Sequence, residues 1–353
     1  MDIGCLIIGM GGLGKSMARV LAGKPWYRTA AVVDPRKEAL EVAKSELSLA
    51  DDQVFQDLEE ALESAEADVA VINTPSELHY GQSKTALENG LHVLVAKPFT
   101  NDYNQSVELV DLAGDEDLTL SVGQQLRYNR HYQAVGRFLQ TDRIGEAEVV
   151  NFLNTKPRPN PGNLANFDHP ALLEMSCHHF DSLMSLLPGQ VPEWISCDGF
   201  RPSWSAYSSP CMVNALIRFD GGLHVLYHGG FSSQSSCYEL RIEGARGALR
   251  CRGIHMSNDQ MEYELAEPPG GWEPAVLDDG IPAANPFETY LDVWHDYVTG
   301  GPEPPFSGRN NLKVFALLSA GIDSVEEGKG VMVADNPKYA DAFEGGLEWR
   351  KSS

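Results

Sequence analysis

The sequence predicts an α/β protein in two parts. The first is a doubly wound parallel sheet, and the second is an α+β domain with a large, mainly antiparallel open sheet. Three observations carry this. Short apolar strands alternate with helical stretches up to about residue 120. A glycine-rich turn, Gly9-Met10-Gly11-Gly12-Leu13-Gly14, follows the first strand. Beyond Ile144-Gly145 the texture changes to longer strand-like stretches broken by turns such as Asp220-Gly221-Gly222.

The elements read in order as follows. Residues 3–8 form a buried strand, and a helix runs from about Lys15 to Gly23. Thr29–Val33 is the second strand, with helices over 35–47 and 57–65. Asp68–Ile72 is a strand ending at Asn73-Thr74-Pro75. A helix from His79 to Asn89 stops at Gly90, a natural C-terminal cap. His92–Ala96 is a strand ending at Lys97-Pro98; a helix over 101–113 and a strand over 119–122 follow. Such alternation means a parallel sheet covered on both faces by right-handed crossovers. Ligands bind these sheets beyond the carboxyl ends of the strands. That rule aligns the Gly9 turn, Asp34, residues 73–75, Lys97, Gln124 and Gln125 along one rim. After a helix over 130–140, residues 146–155, 188–225 and 237–256 supply the strands of the second sheet. Helices near 286–298 and 312–327 close the chain. The predicted domains are therefore 1–123 and 124–353.

Bulk properties narrow the function. The chain has 353 residues, 42% of them hydrophobic, enough for two cores. Its net charge of -23 repels phosphate backbones and anionic lipid, which argues against nucleic-acid and membrane partners. The apolar run 3–10 is too short to span a bilayer and ends in glycines, so no targeting segment is read. The six cysteines are scattered without a C-x-x-C pair, so no zinc site, no other metal and no disulfide framework is expected. Reduced thiols fit a cytoplasmic protein.

Three clusters carry chemistry. In the glycine turn, Gly9 permits the tight bend, Gly11 lets backbone approach a pyrophosphate, and Gly14 permits close helix–strand packing. Met10, Gly12 and Leu13 complete the contact. Asp34 lies 20 residues beyond Gly14, where a carboxylate accepts bonds from the adenosine ribose. It favours NAD, while Arg36 and Lys37 leave NADP open. The second cluster is Thr74, Pro75 and His79 with Ala96-Lys97-Pro98, at two strand ends, where Thr74, Pro75, His79, Ala96 and Lys97 are expected to contact the cofactor. A lysine beside a nicotinamide would bond a substrate hydroxyl and stabilise developing alkoxide charge. The third cluster is Glu174 to Asp181. Glu174 and His178 are four residues apart and share a face on a helix, which suits His178 to take a proton from an alcohol. A metal reading of His178, His179 and Asp181 is weaker, because adjacent helical histidines point apart.

Taken in order, these segments resemble the glucose–fructose oxidoreductase/inositol dehydrogenase/MocA (Gfo/Idh/MocA) family over almost the whole chain. The resemblance rests on the glycine loop 9–14, Asp34, Thr74-Pro75-Ser76-Glu77-Leu78-His79, Lys97-Pro98, residues 122–128, Ile144-Gly145-Glu146 and residues 174–181. It implies an NAD(P)-dependent oxidoreductase acting on a sugar, glycoside or polyol (cyclitols included). Lys97 would bridge cofactor and substrate, His178 would be the acid/base, and Glu174 would orient it or bind a neighbouring hydroxyl. Asp181 would be structural. Gln125, Lys156 and Asp168 are further substrate contacts by position, and Gln125 also lies at the cofactor rim. Three departures from the family pattern stand out. Ala96 replaces the glutamate of its Glu-Lys-Pro motif. Glu174 and Ser176 replace the aspartate and glycine of its D-x-G-x-H-x-x-D signature. An NAD-dependent glycosidase using transient oxidation and a non-catalytic nucleotide sensor are the alternatives. The resemblance also implies a homodimer or homotetramer through the outer face of the open sheet.

Overall fold

A computed structural model describes residues 2–255, 261–277, 280–282 and 285–343. Met256, at the end of the last predicted strand-rich stretch, lies outside the described residues. The chain divides into two compact units, Met1–Gln125 with Phe287–Leu312, and Leu126–Pro286 with Lys313–Ser353.

The first unit holds six parallel strands: β1 (Ile3–Ile8), β2 (Tyr27–Val33), β3 (Val54–Phe55), β4 (Val69–Ile72), β5 (His92–Val95) and β6 (Leu120–Val122). Between them run α1 (Gly12–Ala22), α2 (Lys37–Leu47), α3 (Leu58–Ser64), α4 (His79–Glu88) and α5 (Tyr103–Asp115). The strand order is β3-β2-β1-β4-β5-β6, the order of a dinucleotide-binding sheet. Every residue of β1 and β4 is buried, which is why these strands read as continuous apolar runs without alternation. Helix α1 begins at Gly12, three residues before the predicted start. Glycine disfavours helix, so propensity alone places the start too late.

A distant segment completes this unit. Helix α8 (Pro286–Val298) stacks Trp294 on Tyr27 at 5.6 Å between ring centroids. The Tyr27 hydroxyl donates to the Leu291 carbonyl at 3.1 Å, and the Tyr290 hydroxyl donates to the Val122 carbonyl at 2.8 Å. Residues 287–312 thus pack with the parallel sheet, a return from far along the chain. Such long-range packing leaves no local pattern in the sequence.

The second unit holds α6 (Arg130–Leu139), β7 (Ala147–Pro157), α7 (Cys177–Leu186), β8 (Pro192–Phe200), β9 (Met212–Phe219), β10 (His224–Gly230), β11 (Ser232–Gly244), β12 (Gly247–Gly253), β13 (Glu262–Ala266), β14 (Trp272–Ala275) and β15 (Val331–Met332). Its nine-stranded sheet runs β14-β13-β12-β11-β7-β10-β9-β8-β15. All pairs are antiparallel except the central β7–β10 pair. Burial alternates along β9 and β10, as in a sheet with one covered face. On that face, Ser324 in α9 (Gly308–Glu327) accepts from the Cys197 N–H at 2.9 Å through its hydroxyl. The other face presents Asn151, Leu153, Asn214, Leu216, Leu226 and His228 around a shallow groove of ≈ 520 Å³. No helix among the described residues is long and apolar enough to cross a membrane.

Candidate active site

The glycine turn joins β1 to α1. Gly9 adopts φ +91°, and a Cβ there would meet the Asn73 carbonyl at 2.9 Å. A Cβ on Gly14 would lie 1.9 Å from the Gly9 carbonyl oxygen. These two glycines are therefore fixed by the fold's own packing. Gly11 and Gly12 differ, because a Cβ on either meets nothing within 4 Å. Their backbone is open to an incoming group at a helix N-terminus, the environment a pyrophosphate needs. Met10 is buried beneath the turn, while Leu13 is 38% exposed. The residues present fit a dinucleotide.

Asp34 directly follows β2 and is buried, with four donors on its carboxylate. The Met10 N–H gives 2.8 Å to Oδ2 and the Arg36 N–H 2.9 Å to Oδ1. Arg36 Nε gives 2.9 Å to Oδ1 and Nη2 2.8 Å to Oδ2. Burial works to raise this carboxyl's pKa, but the bonds from Arg36 and Met10 outweigh it and hold the group below the ordinary value. Asp34 is thus a carboxylate throughout the neutral range. Four bonds fill its acceptor sites. Ribose hydroxyls reach it only as the half-exposed Arg36 side chain swings away, and that movement frees a guanidinium beside the 2′ position. An Asp34→Ser variant is expected to lose roughly tenfold or more in NAD affinity and to gain NADP affinity through the released Arg36. Fluorescence titration with both cofactors checks this; unchanged preference would show that neither residue reads the ribose.

Two turns follow β4 and β5. Thr74 donates its hydroxyl to Gln82 Oε1 at 2.6 Å, and Pro75 is exposed. His79 is fully buried, with Nδ1 2.7 Å from the Pro98 carbonyl and Nε2 3.0 Å from that of Thr74. It braces one turn against the other. This corrects the expected direct contact with the cofactor, since a ring with no exposed surface offers none. Ala96 is buried, and its N–H donates to Ile72 at 2.8 Å. In the run 93–100 every residue is buried except Lys97. Gln125 opens a short 3₁₀ turn beyond β6 and is half-buried. The Gly9 turn, Asp34, residues 74–75, Lys97 and Gln125 thus all follow strand ends of the parallel sheet.

In the second unit, residues 171–176 form a π-helix that leads directly into α7. Such turns concentrate at functional sites. Throughout 171–183 every residue is buried except Glu174 and His178. The two therefore share the one accessible stripe of this segment, although the helix changes type between them. Ser176 closes the π turn, donating its hydroxyl to Ala171 O at 2.9 Å and lying 2.8 Å from the Tyr227 hydroxyl. His179 points the opposite way from His178, into the core, with Asn154 at 2.9 Å and Tyr227 at 2.6 Å. Asp181 is buried in an ion pair with Arg127, whose Nε lies 3.2 Å from Oδ2. Burial pushes the Asp181 carboxyl up, and the guanidinium pulls it back. Among the described residues no group of three or more His, Cys, Asp or Glu could hold a metal ion. Lys156, near the end of β7, is half-buried, and Asp168 is exposed.

The strand order and the open glycine turn at the start of α1 define the class as a dinucleotide-binding protein. Residues 3–124 match the family model described as "Oxidoreductase family, NAD-binding Rossmann fold", and residues 138–333 match "Oxidoreductase family, C-terminal alpha/beta domain". The chain belongs to the Gfo/Idh/MocA oxidoreductase family and binds NAD through its Rossmann domain. It is similar to inositol 2-dehydrogenase of Rhizobium meliloti, with 24% identity over 93% of this chain and 98% of that protein. An uncharacterized oxidoreductase of Schizosaccharomyces pombe is 32% identical over 72% of this chain and 69% of its own. The crystal structure of the WlbA dehydrogenase from Bordetella pertussis in complex with NADH and UDP-GlcNAcA superposes with a TM-score of 0.82. It has 22% identity over 94% of this chain and 98% of that one.

Proposed function

We propose that the protein oxidises, or in reverse forms, a CH–OH group of a sugar, glycoside or cyclitol, using NAD. The observation that carries this is the burial pattern. Lys97, Glu174 and His178 are the partly exposed polar side chains in segments otherwise buried. An inositol dehydrogenase among the relatives supports a polyol-type substrate.

Bound NAD supplies the two-electron acceptor for the carbon-bound hydrogen. His178 takes the hydroxyl proton, and Glu174 holds the imidazole in orientation or bonds a neighbouring hydroxyl. Lys97 donates to the reacting oxygen and stabilises the negative charge that develops as the proton leaves. Gln125, Lys156 and Asp168 supply polar contacts to the rest of the substrate. NADP is the second candidate cofactor, through Arg36. The reading is tested by a panel of sugars, glycosides and cyclitols offered with NAD and NADP separately, following absorbance of the reduced cofactor. Turnover of a polyol supports it; saturable NAD binding without turnover across the panel would favour a sensor.

Second copies of the chain are proposed to cover the open sheet face, where Leu226 is 53% exposed and Val149 39%. Light scattering that returns the mass of a dimer or tetramer is the expected result.

A further inference from the structure

Two cations of the second unit stand on one aromatic ring. Lys156 Nζ lies 5.6 Å from the Phe231 ring centroid, and the Arg158 guanidinium carbon lies 5.4 Å from it. Phe231 is buried, so the ring is a fixed floor and not a mobile side chain. Tyr207 stacks on it at 5.9 Å, with 14° between the planes. The Arg158 N–H also donates to the Phe231 carbonyl at 2.8 Å, which ties the cation's backbone to the same residue.

The surrounding loop is held from several sides. Ser208 N–H donates to Ala165 at 2.8 Å, and the Ser209 hydroxyl donates to Phe167 at 2.5 Å. Trp204 is 62% exposed, yet its indole N–H is pinned to the Ser232 carbonyl at 2.9 Å. An exposed indole fixed in this way is a ready surface for a sugar ring. Phe231 and Tyr207 pack in one cluster with Met175, which follows Glu174 in the chain.

The Tyr207 hydroxyl is the second observation. Tyr207 is 1% exposed; the Arg158 guanidinium reaches its hydroxyl as a donor, while the hydroxyl's own O–H finds no acceptor among the described residues. Burial pushes this phenol up to about 12; Arg158 pulls it down, and Glu174 pushes it up. The hydroxyl therefore senses both the cation and the carboxylate assigned to the reaction. A buried donor without an acceptor is costly unless a ligand supplies one.

We propose that Lys156, Arg158 and the Tyr207 hydroxyl form a subsite for an anionic group on the substrate, so that the substrate is an acidic sugar, bearing a carboxylate or a phosphate. In a chain of net charge -23 a local cation pair offsets the repulsion an anion meets on approach. Arginine presents a planar fork that fits either oxyanion, and a stacked guanidinium keeps that fork in place.

This subsite rests on the sugar-oxidoreductase reading for its place in a reaction, but its test reads binding. The full-length protein, saturated with NAD, is titrated calorimetrically with glucuronate, galacturonate and glucose 6-phosphate. Glucose and galactose, the neutral counterparts, are titrated in parallel. At least one acid is expected to bind about 10- to 100-fold more tightly than its neutral partner, with an advantage that shrinks as salt rises. Uronates and the phosphate ester distinguish which oxyanion is preferred. Arg158→Gln should reduce that advantage to a few-fold, and Arg158→Lys should restore part of it. No acid outbinding its neutral counterpart, or an advantage untouched by Arg158→Gln, would overturn the proposal. If acids bind as expected while no alcohol in the panel reduces NAD, the subsite stands and the dehydrogenase reading fails.

Discussion

Lys97→Met is expected to lower kcat for the substrate found in the panel by roughly 10²- to 10⁴-fold while leaving the dissociation constant for NAD within a few-fold. Methionine keeps the length of the side chain and removes its charge and donors. Lys97 stands in a run where all its neighbours from 93 to 100 are buried, so its ammonium acts from a low-dielectric wall. Charge on an alkoxide-like oxygen there is stabilised by a fixed donor rather than by water that must reorganise. Because the effect lies in the transition state, kcat and kcat/KM should fall together. His178→Asn should cost a similar factor, and the double variant much less than the product of the two, because both act on one proton transfer. Undiminished turnover in either single variant would remove that residue from the mechanism. Isothermal titration of NAD against each variant separates lost chemistry from lost folding.

The parallel sheet was legible because its signals are local. Buried strands read as apolar runs, and the glycine turn, Asp34 and Lys97 each sit where a strand stops. Helix type was not legible: residues 171–176 adopt a π turn, yet Glu174 and His178 still emerge on one stripe, since four residues make nearly one turn in either geometry. His79 shows the opposite case. Its place in the motif suggested a ligand contact, while both ring nitrogens are bonded to carbonyls of two turns, Thr74 and Pro98, the latter 19 residues away in sequence. Arg158, Tyr207 and Trp204 carried no signal, because what relates them is a shared ring, Phe231, and a carbonyl, Ser232, that only β11 and its neighbours bring near. The return of 287–312 to the first unit is invisible for the same reason: its anchors are Tyr27 and Val122, both far upstream.

Gly14→Ala is expected to destabilise the protein by about 1–3 kcal/mol and to weaken NAD binding by about 5- to 150-fold. In an ordinary helix the same change stabilises by up to about 1 kcal/mol, so the sign itself is diagnostic. Here the new methyl would stand 1.9 Å from the Gly9 carbonyl oxygen, which is backbone and cannot rotate aside. Relief requires the whole turn to move away from α1. Gly9 cannot follow easily, because its own Cα already faces the Asn73 carbonyl, where a Cβ would come within 2.9 Å. Moving the turn also pulls the Met10 N–H off Asp34, so the pyrophosphate cradle and the ribose acceptor are lost together. Gly12→Ala is the control that separates packing from ligand contact. Its methyl meets nothing within 4 Å, so thermal stability should stay within about 0.5 kcal/mol. NAD affinity should still fall, because the methyl occupies the space the phosphates need. A Gly14→Ala protein that melts at the wild-type temperature and binds NAD normally would mean that the turn yields freely, and that Gly14 is not what fixes it against the helix.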